Sequence, residues 1–223
     1  MLRRLVSPTP DLSIWWCSLE DALWPPDLPA WHSASEKARA ARFSITALST
    51  HYMRGRAALR LVLGGVLGCS PAHVDIRRGK RGRPFVPDQS SFDFNVSHTR
   101  NVALIAVTRR TGHRIGVDVE HEDRRVNHAR LAQRVLTAAE RRRIAGQPED
   151  DLRRSFLRVW TAKEAMSKAT GDGLRAPMRQ LDVELSPTLR LLDGPPPYEP
   201  HQWQLHGLEV PNRYLATLAV WER

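Results

Sequence analysis

The chain has 223 residues, with 34 Lys and Arg against 24 Asp and Glu, and a formal net charge of +10. That length suits one large domain or two small ones, and the basic balance calls for an anionic partner: nucleic acid, membrane surface, acidic protein or phosphorylated small molecule. Two cysteines, Cys17 and Cys69, with no CxxC between them argue against a disulfide framework, and no stretch approaches the roughly 20 apolar residues of a membrane-spanning helix.

The first predicted element is an apolar, aromatic-rich strand over residues 12–17, after Pro8 and Pro10, which come too early for the apolar core of a signal peptide. A soluble cytoplasmic chain is therefore expected. Residues 24–29 form a proline-rich turn. A helical pattern then runs, with a break, over 36–67, opened by Ser35 as N-cap and stopped by Gly68. A short strand over 74–77 leads to a basic, glycine-broken loop, Arg78-Gly79-Lys80-Arg81-Gly82-Arg83-Pro84. Strands follow over 92–96 and 102–108, separated by a polar Ser97-His98 turn.

The second half repeats this order. A strand over 115–120 stands where 12–17 stood. Helical patterns cover 129–144 and 151–170, broken by Gly146-Gln147-Pro148. Strands over 181–185, 203–206 and 214–221 echo the three before the middle of the chain, and 194–197 reads as a surface loop. The expected fold is α+β, with two related halves, 1–111 and 112–223, each a small antiparallel sheet packed with helices.

Two segments carry the chemistry. In Ile115-Gly116-Val117-Asp118-Val119-Glu120 the strand period puts Asp118 and Glu120 on one face. A charged edge strand facing water would explain a generic DxE. The β-branched flanks point instead to a core strand, where two like charges need a cation. In Trp160-Thr161-Ala162-Lys163-Glu164-Ala165-Met166-Ser167-Lys168 helical spacing puts Trp160, Glu164 and Lys168 on one face. By itself, that pair reads equally as a surface salt bridge worth a few tenths of a kcal/mol. Together, three carboxylates and a lysine have the composition of a magnesium site that handles phosphate. The basic loop reads as a solvated loop, a nucleic-acid patch, or a nest that lets backbone approach a phosphate. Ser97 and His98 do not form a hydrolase dyad, since no GxSxG elbow exists.

Five places, in this order, resemble the 4′-phosphopantetheinyl transferases of the larger, surfactin-synthetase-activating type. They are Glu36-Lys37-Ala38-Arg39 before Arg42-Phe43, Gly82-Arg83-Pro84, Phe94-Asn95-Val96-Ser97-His98, the Asp118 segment, and 160–168 continuing to Gly173-Leu174. The resemblance implies a pseudo-twofold pair of α+β halves. It implies transfer of the phosphopantetheine arm of coenzyme A to a serine of an acidic acyl or peptidyl carrier protein, releasing adenosine 3′,5′-bisphosphate. Asp118, Glu120 and Glu164 would hold Mg2+ on the pyrophosphate, and Glu164 would take the serine proton. Lys168 would contact a phosphate, assisted by Lys163. Asn95, Ser97 and His98 would bind the diphosphate and ribose. Arg39 with Arg78, Lys80 and Arg83 would hold the nucleotide end, Arg83 standing where Gly-Lys-Pro is common in the family. A monomer that acts without membrane or nucleic acid is the matching expectation. Two other classes compete: a basic nucleic-acid-binding module, and an inactive carrier-protein binder. The acidic cluster opposes the first, and retention of all three carboxylates with Lys168 opposes the second.

Overall fold

The computed structural model describes residues 2–20, 24–124, 128–186, 188–211 and 213–223. In chain order the first part contains β1 (Leu2–Arg4), β2 (Leu12–Ser18), α1 (Ala34–Ala40), α2 (Thr46–Leu67), β3 (Arg77–Arg78), β4 (Pro84–Phe85), β5 (Asp93–Thr99) and β6 (Val102–Thr108). The second contains β7 (His113–His121), α3 (His128–Val135), α4 (Ala138–Ile144), α5 (Glu149–Thr170), β8 (Asp182–Glu184), β9 (Arg190–Asp193), β10 (Trp203–Gly207) and β11 (Tyr214–Glu222). Among the described residues no helix is long and apolar enough to cross a membrane.

Two antiparallel sheets organise these elements, with strand orders β1-β2-β6-β5 and β10-β11-β7. The run β2-β6-β5 has its counterpart in β7-β11-β10, so the echo read from the sequence is also an echo of strand order. Alternation along β6 divides its side chains between two cores. Ala103, Ile105 and Val107 pack with Ala57, Ala58, Leu59, Val62 and Leu63 of α2. Leu104 and Ala106 pack with Ile115, Val117 and Val119 of β7 and Leu218 and Val220 of β11. A third core lies under α5, where Leu157, Ala162, Ala165 and Ala169 meet Leu205 and Ala219. The layers therefore run helix, sheet, sheet, helix.

The joint between the sheets is made by side chains meeting backbone. β7 pairs with β11 along one edge only, which leaves alternate N–H groups on the other edge to be satisfied. Alternate residues of β5 supply the acceptors. Asp93 takes the Ile115 N–H at 2.8 Å, Asn95 that of Val117 at 3.1 Å, and Ser97 that of Val119 at 3.4 Å.

Several boundaries differ from expectation. Helix α1 is capped by Ser33, not Ser35. The Ser33 hydroxyl accepts the Glu36 N–H at 3.3 Å while the Glu36 carboxylate accepts the Ser33 N–H at 2.9 Å, a reciprocal capping box. Gly68 does end α2, in the left-handed region at φ 69°. The expected Ser97-His98 turn is strand: both lie inside β5, and the chain reverses at Arg100 and Asn101. The helix expected over 129–144 is two, because Thr137 opens α4 with its own capping box to Glu140. The strand expected over 74–77 contracts to β3. β1, β4 and β9 are too short to show a period and were not anticipated.

Candidate active site

Asp118 and Glu120 project from β7 toward α5, and the contact is close because Gly116 precedes them. A Cβ on Gly116 would lie 1.9 Å from the Ala165 carbonyl oxygen and 2.7 Å from the Ala169 nitrogen. Only a glycine lets strand and helix backbones touch there. The contact puts Lys168 on Asp118: its ammonium donates to Oδ1 at 2.7 Å and to the Ser97 hydroxyl at 2.8 Å. Ser97 in turn donates to the same Oδ1 at 2.8 Å. Asp118 is 5% exposed, and its Oδ2 is buried with no hydrogen-bond partner.

Glu120 is held from three sides. Trp160 Nε1 donates to it at 3.2 Å, Thr99 Oγ1 at 3.3 Å, and the Arg124 guanidinium pairs with it. Arg124 also lies over the Trp160 ring, 4.9 Å from its centroid. Burial, reinforced by Asp118, pushes the Glu120 carboxyl above its ordinary range against the pull of Arg124. Glu164 is half-buried, and among the described residues no hydrogen bond reaches its carboxylate. Burial and then Asp118 raise its pKa too, with Lys168 and Arg124 opposing.

The Asp118 charge thus disfavours the ionised forms of both Glu120 and Glu164. The donor set fits a hard divalent cation: all ligand atoms are oxygens, and one of them, Asp118 Oδ2, is buried without a partner. Among the described residues no three acidic or histidine side chains stand close enough to enclose an ion; Lys168 occupies Asp118 Oδ1, and Arg124 and Thr99 occupy the two Glu120 oxygens.

A cationic surface adjoins this cluster. His98 lies exposed on β5, and its pKa is lowered by partial desolvation and then by Lys168, with Arg39 and Arg78 adding to the effect and Asp118 opposing it. The pKa of Arg78, whose side chain is exposed, is lowered by partial desolvation, then by Arg56 and Arg39. Arg39 itself stacks over Tyr52, 5.5 Å from the ring centroid. So Arg39, Arg78 and Lys168 all act electrostatically on His98 and belong to one positively charged surface. Lys80 is exposed on the same loop.

Three residues of the expected set have other engagements. Lys163 is withdrawn from the catalytic group: it is 0% exposed, and its ammonium donates to Glu140 at 2.6 Å and to the Val135 and Met178 carbonyls at 2.8 Å each. Burial lowers it to about 8 even against the pull of Glu140. Asn95 is buried and serves the Val117 N–H. Arg83 turns inward to Asp93 and to backbone carbonyls of both halves. Sequence reasoning in turn overlooked Arg124, Arg56 and the indole donor of Trp160. An i, i+4 spacing from Glu120 to Arg124 was the one available signal for Arg124, and it lay outside any predicted helix.

Comparison with known proteins matches two family models. That described as the 4′-phosphopantetheinyl transferase superfamily covers residues 114–219, and that described as 4′-phosphopantetheinyl transferase, N-terminal, covers 23–110. The 4′-phosphopantetheinyl transferase HetI of Nostoc sp. is 37% identical over 201 residues, spanning 87% of this chain and 80% of that protein. A putative 4′-phosphopantetheinyl transferase of Synechocystis sp. is 30% identical over 174 residues, 77% of this chain and 70% of the relative. The L-aminoadipate-semialdehyde dehydrogenase-phosphopantetheinyl transferase of Xenopus laevis is 29% identical over 209 residues, 84% and 67% of the two chains.

Proposed function

The chain belongs to the 4′-phosphopantetheinyl transferase superfamily, and we propose that it transfers the phosphopantetheine arm of coenzyme A to a carrier protein in the cleft beside Asp118, Glu120 and Glu164. The observation that carries this placement is the meeting of Lys168, Ser97 and Asp118 beside a buried carboxylate oxygen that has no partner. Matches to both halves support the larger, two-half type.

In this reading the carrier serine hydroxyl attacks the phosphorus that bears the pantetheine. The bond from that phosphorus to the bridging pyrophosphate oxygen breaks, and adenosine 3′,5′-bisphosphate leaves. Glu164 accepts the serine proton. Lys168 faces the charge that builds on the phosphoryl oxygens, held in place by Asp118 and Ser97. Arg39, Arg78 and Lys80 bind the nucleotide phosphates, and His98 offers a hydrogen bond beside them. Asp118, Glu120 and Glu164 would hold Mg2+, which when bound neutralises the pyrophosphate. Such transfers depend on alignment and charge neutralisation more than on covalent help.

The test is a carrier domain incubated with coenzyme A, magnesium and the protein, read by mass spectrometry. A gain equal to one phosphopantetheine arm is expected, and Asp118→Ala and Glu164→Gln should abolish it while the folded circular dichroism spectrum persists. Near-normal turnover in either variant would sink the site assignment. No gain across several acyl and peptidyl carriers would sink the transferase reading.

A further inference from the structure

Arg83 sits where the two halves meet, and its guanidinium faces inward. The side chain is 9% exposed. Nη1 donates to the Lys168 carbonyl at 2.7 Å, and Nη2 to Asp93 Oδ2 at 2.5 Å, to the Phe94 carbonyl at 3.2 Å and to the Ile115 carbonyl at 3.1 Å. One side chain thus ties the loop before β4 to β5, β7 and α5.

Each contact answers a local need. The Lys168 carbonyl is among the last four of α5, which have no partner within the helix. A cation placed there also complements the negative end of the helix dipole. Asp93 Oδ2 accepts the Ile115 N–H at 2.8 Å as well, so an unbroken chain of charge-assisted bonds runs from α5 through Arg83 and Asp93 to β7. Lys168 is therefore gripped twice. Arg83 holds its backbone, while Asp118 and Ser97 hold its ammonium. Turning Arg83 outward to a ligand would leave Asp93 without its cation and free three carbonyls at once.

We infer that Arg83 is a positioning residue of the transfer reaction, locking the last turn of α5 onto β5 and β7 so that Lys168 meets Asp118, and is not a ligand of the coenzyme A phosphates. This rests on the transferase reading of the site. Anion binding by the loop falls to Arg78 and Lys80, which are exposed.

Three full-length variants test it: Arg83→Gln, Arg83→Lys and Arg78→Ala. Coenzyme A affinity is measured by calorimetry with magnesium, kcat on a carrier domain, and hydrogen exchange at the Gly171 and Asp172 amides, which donate to the Ser167 carbonyl at 2.9 and 3.1 Å. Arg83→Gln should lower kcat by about tenfold or more with the Kd for coenzyme A within about twofold of the unaltered protein. The two amides should exchange faster. Arg83→Lys, which keeps the charge but loses the fork, should fold and give an intermediate kcat, so it carries the test if the glutamine variant does not fold. Arg78→Ala is the binding comparison and should weaken coenzyme A affinity, with the Gly171 and Asp172 amides exchanging as in the unaltered protein. The proposal is overturned if either Arg83 variant weakens coenzyme A binding as much as Arg78→Ala does while kcat survives. Unchanged kcat and exchange overturn it equally. An unaltered chain that modifies no carrier is a failure of the transferase reading; exchange in the Arg83 variants then decides the positioning role, and an unchanged rate refutes it.

Discussion

Two lysines on α5, five positions apart, have opposite environments. Lys168 reaches the rim of the cleft and shares Asp118 with Ser97. Lys163 projects to another side of the helix, into a sealed site with Glu140, which is itself 1% exposed and also caps α4 and accepts the Val183 N–H. Burying that pair is costly, and removing one partner costs more than the pair contributes, because the other charge stays behind. Lys163→Ala should therefore destabilise the protein by about 3–5 kcal/mol, measured by urea unfolding, whether or not a substrate is present. If stability stayed within about 1 kcal/mol while turnover vanished, Lys163 would return to the chemistry. Neighbours in a motif can serve different ends, because helical geometry separates residues 163 and 164 by about 100° around the axis.

The pairing of β7 with α5 depends on one glycine. In a β-branched run Gly116 reads as a weak point of the strand, and such glycines often mark a close backbone approach. Here the approach is to the Ala165 carbonyl, and the neighbouring small residues Ala165 and Ala169 keep the helix face flat. Gly116→Ala must push the helix away from the strand. The expected result is a loss of about 1–3 kcal/mol in unfolding free energy, with kcat falling further than stability alone explains, because Glu164 and Lys168 move relative to Asp118. Native stability and turnover together would mean that helix and strand are not in contact there. The ladder from β5 follows the same logic. Asp93, Asn95 and Ser97 look like scattered polar residues in an apolar strand until β7 lies beside them with unpaired N–H groups. Their period of two was visible; their partners, about 22 residues on, were not.

For the molecule as a whole, Asp118, Glu120 and Glu164 lie where β7 meets α5, with Lys168 and Arg124 beside them and Ser97 of β5 reaching across from the other sheet. The net charge of +10 surrounds this site with a field that draws in polyanions. Raising sodium chloride from low to physiological concentration should increase the KM for coenzyme A severalfold while kcat changes little, since exposed charges are screened over about 8–10 Å and the partly buried Lys168–Asp118 pair less. A salt-independent KM would show that the surrounding charge plays no part in capture.

The longer strands and helices, their echo, and the shared faces of Asp118 with Glu120 and of Glu164 with Lys168 were legible in the amino-acid order, because strand and helix periods of 2 and 3.6 assign faces without knowledge of neighbours. Cap positions were less legible: Ser33 and Ser35 both qualify by type, and only the closed bond pair with Glu36 distinguishes them. What Arg83, Lys163, Asn95 and Arg124 each bind was settled by folding. A cation in a basic loop and a cation under a helix end are the same residue on paper; which carbonyls and carboxylates come within 3 Å is a property of the packed layers, and those partners lie 10 to 85 positions away in the case of Arg83.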